Sequence, residues 1–495
     1  MNGLRFVAGV FASAAFAISA GAADAGLFTQ VAPLPVRHRT PGGLSNLKHL
    51  IFIVQENRSF DNYFGTYPGA DGIPTSPPCQ VDPWYPSACD TPYPNHDASN
   101  MGGPYMNKYQ VADIDGGKMD GFVASREKQL GNQCAPHDGR RVDPRTVVTG
   151  VEADDEGIVT TTKCTIDVMG YHDGTDLPNY WKYAADYVLF DHFYESAESW
   201  SLPAHLALYS GWAAKCTKLD PPIIDSCYSQ LTGKTWEPGK PQPYLWTDIT
   251  YLLYQNGVSW LAYLDGGLGK PIGGNTKVQG IWAALGGFET VVDDGQYANA
   301  VGTDLTQFYS DAAGGTLPAV SWILPQYPDS EHPQASIAQG QSYVTGLVNA
   351  IESGPDWNSS AIFIVWDDIG GFYDHEPPPF SIDFDGPGLR VPALLISPYA
   401  LTGTIDHQIL TTDSFLKLIE DTFLNGESMA QSGRPDPRPD YRDQSALLGN
   451  LENDFDFQQA PRPPVLLSTH PMSLLREDPA ATSGRPTADA LPRRR

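Results

Sequence analysis

Basic side chains are scarce in this chain. Lysine and arginine together number 31 against 58 aspartates and glutamates, a formal net charge of −27 at pH 7. Nucleic acids are gripped at their phosphates by lysine and arginine, so this balance argues against a nucleic-acid partner. Any phosphate-bearing substrate would need a local cation. Charged residues make up only 18% of the 495 while hydrophobic residues make up 41%, which excludes a disordered chain and supplies a sizeable core. Cysteines are few, six in all, and none stands in a C-x-x-C spacing, so zinc-binding or redox cysteines are not expected. Histidine is also sparse, at 11.

Long apolar runs are missing except at the N-terminus. There Arg5, the apolar stretch Phe6 to Ile18 and the small residues Ala20-Gly21-Ala22 have the order of a secretory signal peptide over residues 1–22. The stretch falls short of the roughly 20 residues that span a bilayer. With the signal removed, no transmembrane segment is left, and a secreted or periplasmic location is expected. In an exported chain, Cys79, Cys89, Cys134, Cys164, Cys216 and Cys227 read as disulfide staples of loops; pairing by nearest neighbour is one connectivity among several.

Four short apolar runs, Leu50 to Val54, Val320 to Leu324, Ala361 to Trp366 and Val391 to Ile396, have the length and β-branched or aromatic content of strands buried on both faces. Helical spacing lies between and after them. Ile337, Val344, Leu347, Val348 and Ile351 share one helical face, and Asp413 reads as the N-cap of a helix carrying Phe415, Leu416, Ile419 and Phe423. Strands alternating with helices predict an α/β fold of three αβα layers around a mainly parallel sheet. Residues 26–460 are expected to form the catalytic domain. Within it, 69–164 is rich in Pro, Gly, Asn and Asp and reads as an irregular insertion placed to act as a lid, and 216–243 as a second irregular stretch. Residues 461–495 read as a loosely held tail.

Open α/β sheets bind ligands beyond the carboxyl ends of their strands. Leu50 to Val54 leads into Gln55-Glu56-Asn57, and Ala361 to Trp366 into Asp367-Asp368-Ile369-Gly370-Gly371. Three carboxylates and an amide crowded at one edge repel unless a cation lies between them. An all-oxygen set suits one hard divalent ion, Ca²⁺, Mg²⁺ or Mn²⁺, better than zinc. The nucleophile is sought in Glu198-Ser199-Trp200-Ser201-Leu202-Pro203-Ala204-His205, where Pro203 fits the first turn of a helix and Ser201 its N-terminus. The positive end of the helix dipole favours both an alkoxide and an incoming phosphate there. The plainer reading makes Ser201 an ordinary N-cap, and Ser199 is the rival nucleophile. Among His96, His332, His375 and His407, His332 is best placed to act on a substrate, since it closely follows a buried strand.

Three segments are similar to the bacterial phosphoesterases that include secreted phospholipases C and an acid phosphatase, within the alkaline phosphatase-like superfamily. They are Glu56-Asn57-Arg58-Ser59-Phe60-Asp61-Asn62-Tyr63-Phe64-Gly65, Gly117-Lys118-Met119-Asp120-Gly121-Phe122, and Trp366-Asp367-Asp368-Ile369-Gly370-Gly371-Phe372-Tyr373-Asp374-His375. The resemblance runs from about His49 to Pro464. It implies an alkaline phosphatase-like fold and a metal held by Glu56, Asn57, Asp367, Asp368 and the hydroxyl of a nucleophilic Ser201. It also implies phosphate contacts from His96 and His332, a phosphoserine intermediate, and a small phosphate ester or phospholipid head group as substrate. Where the family has Asn after the proline of the nucleophile motif, this chain has Ala204.

Three other functions compete with a phospholipase C. An acid phosphatase would act on monoesters. A sulfatase is suggested by Ser201-Leu202-Pro203-Ala204-His205, which is similar to the sulfatase pattern Ser/Cys-x-Pro-x-Arg but has histidine in place of the arginine. A catalytically inactive cell-surface binding protein would tolerate the same disulfides and acidity.

Overall fold

The computed structural model describes residues 43–131, 134, 149–153, 159–216, 227–228, 244–270, 276–380, 386–436, 438 and 440–477. The expected signal peptide and residues 478–495 lie outside them. Among the described residues, no helix is long and apolar enough to cross a membrane.

Seven strands form the central sheet: β1 (His49–Gln55), β2 (Val188–Phe190), β3 (Trp260–Leu264), β4 (Val320–Leu324), β5 (Ser360–Trp366), β6 (Ala393–Ile396) and β7 (Thr404–Asp406). Their order across the sheet is β7-β2-β6-β5-β1-β4-β3. The centre is parallel: β1 pairs with β5 from His49 opposite Ser360 to Gln55 opposite Trp366, and with β4 from Leu50 opposite Val320. All seven residues of β5 are buried, as its unbroken Ala-Ile-Phe-Ile-Val-Trp run requires. The run Val391 to Ile396 departs from expectation. Its strand begins only at Ala393, after Pro392, which has no N–H to offer a ladder. It also runs antiparallel to both neighbours, β5 and β2. An apolar run reports burial on two faces and carries no information on direction.

The helices that matter to the site are α1 (Phe60–Phe64), α2 (Asn107–Ile114), α3 (Phe122–Leu130), α4 (Pro178–Asp186), α5 (Ser201–Ser210), α6 (Ile337–Glu352) and α7 (Thr412–Phe423). Ser336 caps α6 by accepting from the Gln339 amide. The cap of α7 is Thr411, in a reciprocal box with Ser414, and not Asp413. Asp413 instead faces Arg442 at 3.1 Å, both side chains fully buried, so the carboxylate is committed to a guanidinium. The two helical layers follow from strand parity. On β5, Phe363 packs on Phe415 of α7 at 5.0 Å, while Trp366, three residues on and therefore on the opposite face, packs edge-on against Tyr180 of α4 at 5.2 Å.

The insertion is more regular than its composition suggests. Helices α2 and α3 lie within it, and a short antiparallel ribbon pairs Thr149–Ala153 with Val159–Lys163. Disulfides Cys79–Cys89 and Cys134–Cys164 link nearest neighbours, one of the connectivities the sequence leaves open. The backbone sets Cys216 opposite Cys227, whose side chains lie outside the description. The chain from 461 to 477, expected to be loose, is tied to the body. Arg462 donates to the carbonyls of Asp186 and Ala400, the Val465 amide to Glu352, and the Leu467 amide to Asn349. Hydrogen-bonding groups on α6 and at the end of α4 supply partners that composition alone does not reveal.

Candidate active site

Strands β1 and β5 are parallel and in register, so their carboxyl ends deliver consecutive polar pairs to one place. The ladder continues one step past Trp366, with the Asp367 amide donating to the Gln55 carbonyl at 3.0 Å. Beyond it Glu56, Asn57, Asp367 and Asp368 are all buried. Asn57 turns with φ of 60°, a left-handed conformation that asparagine tolerates better than most residues. That turn aims its amide Nδ2 at Asp368 Oδ1, 2.7 Å away, while its backbone N–H donates to Asp367 Oδ1 at 2.9 Å. Gly370 makes the approach possible. A Cβ there would lie 2.5 Å from the Asn57 carbonyl oxygen.

Helix α5 begins at Ser201, and its cap position is Trp200, which makes no side-chain cap bond. The Ser201 hydroxyl instead lies 3.2 Å from Glu56 Oε2 and 3.0 Å from Asp368 Oδ2. The five residues read from strand ends and helix start are thus brought together in one buried cluster. Ser199 differs: its described bonds are of the backbone, from its amide to the Ala197 carbonyl and from Gln110 to its own carbonyl.

His205 joins the cluster and was not among the candidate site residues. Its Nε2 lies 3.0 Å from Glu56 Oε1 and 3.6 Å from Asp367 Oδ2, with the ring fully buried. The signal was present in the spacing, since residues i and i+4 of a helix share a face, and His205 is four residues beyond Ser201. Burial alone would push the Asp367 carboxyl up, but His205, with Glu56 and Ser201, outweighs it and draws the group down to about 2. Two buried acceptors of the cluster, Asn57 Oδ1 and Asp367 Oδ2, have no hydrogen-bond donor. Glu56, His205 and Asp367 each bring a ligand atom within 4.8 Å of the others. Clustered buried carboxylates with undonated oxygens fit a bound cation, and the residues present suit a divalent metal ion.

The other histidines divide. His332 is fully buried, and its ring feels the Asp367 charge. Burial pushes its pKa down to about 4, so the ring is neutral at neutral pH. Its Nδ1 sits 3.1 Å from the Pro333 carbonyl and donates to it, so that Nε2, 3.4 Å from the Tyr105 hydroxyl, is the unprotonated nitrogen that accepts. His96 makes its described contacts elsewhere, with Nδ1 at 2.9 and 3.0 Å from the two Asp176 oxygens. His375 pairs with Asp61 at 2.8 Å and His407 with Asp191 at 2.8 Å. From the insertion, the Gly103 amide reaches the Gly370 carbonyl at 3.0 Å, and Gln110 reaches the Ser199 carbonyl at 3.4 Å.

Residues 47–424 match the phosphoesterase family. The chain is 27% identical to phospholipase C A of Mycobacterium tuberculosis over 476 residues, 87% of this chain and 81% of that protein. It is 27% identical to phospholipase C B of the same organism over 534 residues, 97% and 93% of the two chains. Non-specific phospholipase C1 of Arabidopsis thaliana is 24% identical over 392 residues, 73% of this chain and 62% of that one. Among solved structures, a protein of the alkaline phosphatase superfamily from Vibrio parahaemolyticus aligns over 56% of this chain and 66% of its own, at 13% identity and a TM-score of 0.32. The match over residues 47–424 spans the strand ends, the start of α5 and every residue of the buried cluster, and the chain belongs to the phosphoesterase family, hydrolases that act on phosphoric ester bonds.

Proposed function

We propose that this chain is an exported, metal-dependent phospholipase C-like enzyme in which Ser201 is the nucleophile. The observation that carries the reading is the Ser201 hydroxyl, held between Glu56 and Asp368 at the start of α5. Ser201 is the first helical residue and not the cap, so its hydroxyl takes no part in capping and is held by two buried carboxylates at a helix N-terminus, where a nucleophile and a phosphate are both favoured.

Glu56, Asn57, Asp367, Asp368 and Ser201 would hold a divalent ion, which would lower the hydroxyl's pKa and offset the charge of the phosphate. Oxygen donors favour Ca²⁺, Mg²⁺ or Mn²⁺, and the His205 nitrogen shifts the balance toward Mn²⁺ or Zn²⁺ where it joins the set. Ser201 Oγ attacks phosphorus, the bond to the leaving alcohol breaks, and the alcohol departs with a proton, leaving a phosphoserine. Water then attacks that phosphorus, phosphate or a phosphorylated head group leaves, and Ser201 regains its proton. Two in-line displacements retain configuration at phosphorus. The α5 N-terminus offers backbone N–H groups to the phosphoryl oxygens throughout. His332, a neutral ring whose Nε2 is unprotonated, is the candidate general base for the attacking water. His96, held by Asp176, is assigned to orienting the phosphate.

The phospholipase C names of the relatives favour a phosphodiester with a lipid leaving group, and those relatives together with the N-terminal stretch favour an extracellular or periplasmic location. Turnover of p-nitrophenylphosphorylcholine, p-nitrophenyl phosphate and p-nitrophenyl sulfate is to be compared with divalent metal supplied. The choline ester should be the best substrate. Preference for the simple phosphate would make the enzyme an acid phosphatase, activity on the sulfate alone a sulfatase, and none at all a binding protein.

A further inference from the structure

A second constellation of metal-binding side chains stands at the same sheet edge, away from Ser201. Strands β2 and β7 pair in parallel, Val188 opposite Thr404 and Phe190 opposite Asp406, so the residues that follow them emerge side by side. After β2 come Asp191 and His192, and after β7 comes His407. His192 Nδ1 lies 2.8 Å from Asp191 Oδ1, and His407 Nδ1 lies 2.9 and 2.8 Å from Asp191 Oδ1 and Oδ2. All three ligand atoms fall within 4.8 Å of one another.

We propose that Asp191, His192 and His407 form a second metal site, taking a transition-metal ion such as Zn²⁺. Two imidazoles and one carboxylate are a common donor set for three-ligand zinc, with water in the fourth position. Tetrahedral bonds of about 2.0 Å set donors about 3.3 Å apart, so the spacings from Asp191 to each histidine need open by only a few tenths of an ångström. An outer shell is already in place. The other ring nitrogen of His192, Nε2, lies 3.4 Å from Asp71 Oδ2, the carboxylate-histidine arrangement that leaves the ligating nitrogen free of its proton. The Asp71 amide in turn donates to Asp191 Oδ2 at 2.8 Å, and His375 Nε2 holds the other Asp71 oxygen at 3.4 Å.

Access is also built in. Asp191 is fully buried, whereas the His407 side chain is 40% exposed, giving an ion a path from solvent. Without metal, the same contacts serve as hydrogen bonds between Asp191 and the two imidazoles. The site shares no residue with the Ser201 cluster, and β6 separates β2 from β5, so the inference is independent of the proposed reaction.

The test uses the full chain stripped with chelator and titrated with Zn²⁺ by calorimetry, with bound metal counted by elemental analysis after gel filtration. Asp368→Ala, which impairs the Ser201 cluster, should still bind one Zn²⁺ per chain. Adding His407→Ala should remove that ion, and Asp71→Asn should weaken it by about 10- to 100-fold. The same loss of one ion should separate wild type from His407→Gln, and circular dichroism of the metal-free proteins should be unchanged. Cobalt at the site should give the intense visible bands of tetrahedral coordination. Absence of bound Zn²⁺ in Asp368→Ala together with equal Zn²⁺ content in wild type and His407→Gln would overturn the proposal.

Discussion

Asn57 has two jobs that separate variants can pull apart. Its backbone occupies a left-handed turn, φ 60°, and its side chain donates to a buried carboxylate of Asp368 while leaving Oδ1 undonated. Glycine adopts that turn without penalty, whereas alanine there costs about 1–2 kcal/mol. Both lose the amide. A hydrogen bond to a charged group is worth about 1.5–3 kcal/mol, roughly a 10- to 100-fold change in an equilibrium constant. Asn57→Gly and Asn57→Ala should therefore lose metal affinity to a similar degree, read by calorimetry with Mn²⁺ on the chelated protein. In urea unfolding followed by tryptophan fluorescence, metal-free Asn57→Ala should be the less stable of the two by about 1 kcal/mol. Equal stability would refute the backbone argument. Undiminished metal affinity in both would remove Asn57 from the site.

Arg390 is fully buried and donates to Asp374 at 2.9 Å, to Asp61 at 3.3 Å and to the carbonyls of Asp71 and Asp191. Arg390→Met would strand two buried carboxylates, at an expected cost of about 3–5 kcal/mol in urea unfolding; a loss below about 1 kcal/mol contradicts the network. Burial alone would lower the His375 pKa, but its bonds to Asp61 and Asp71 raise it to about 10. Its stabilisation is complete below the ordinary value near 6.5 and lost as pH rises through about 10. The stability gap between wild type and His375→Gln should thus shrink from pH 6 to pH 10, and a widening gap reverses the sign of the argument. Chelation should abolish turnover of the choline ester and added divalent metal restore it, while full activity in excess chelator would remove metal from the mechanism.

Much of the site was legible because its residues follow strands whose burial is written as unbroken apolar runs. Glu56, Asn57, Asp367 and Asp368 needed only the rule that ligands gather at carboxyl ends. His205 was readable in principle, four residues beyond Ser201, but a lone histidine on a helix that is buried all round carries no charge pattern to mark its face. The direction of β6 and the short strands β2 and β7 were not legible, since pairing is decided by partners far along the chain. The length of the Glu56 to Gly65 motif has a physical cause that only packing reveals. Arg58 Nε donates to Tyr63 at 3.1 Å, the Tyr63 hydroxyl to Glu331 at 2.7 Å, and the His375 amide to Asp61 at 2.9 Å. Those bonds anchor the segment that follows Glu56-Asn57 to the residues around Glu331 and His375.

The central claim is that Ser201 carries the phosphoryl group. Acid-quenching the enzyme during turnover of a slow phosphate ester, then sequencing its peptides by mass spectrometry, should find phosphate on Ser201 and none in Ser201→Ala. Phosphate on Ser199, or wild-type turnover by Ser201→Ala, would contradict it.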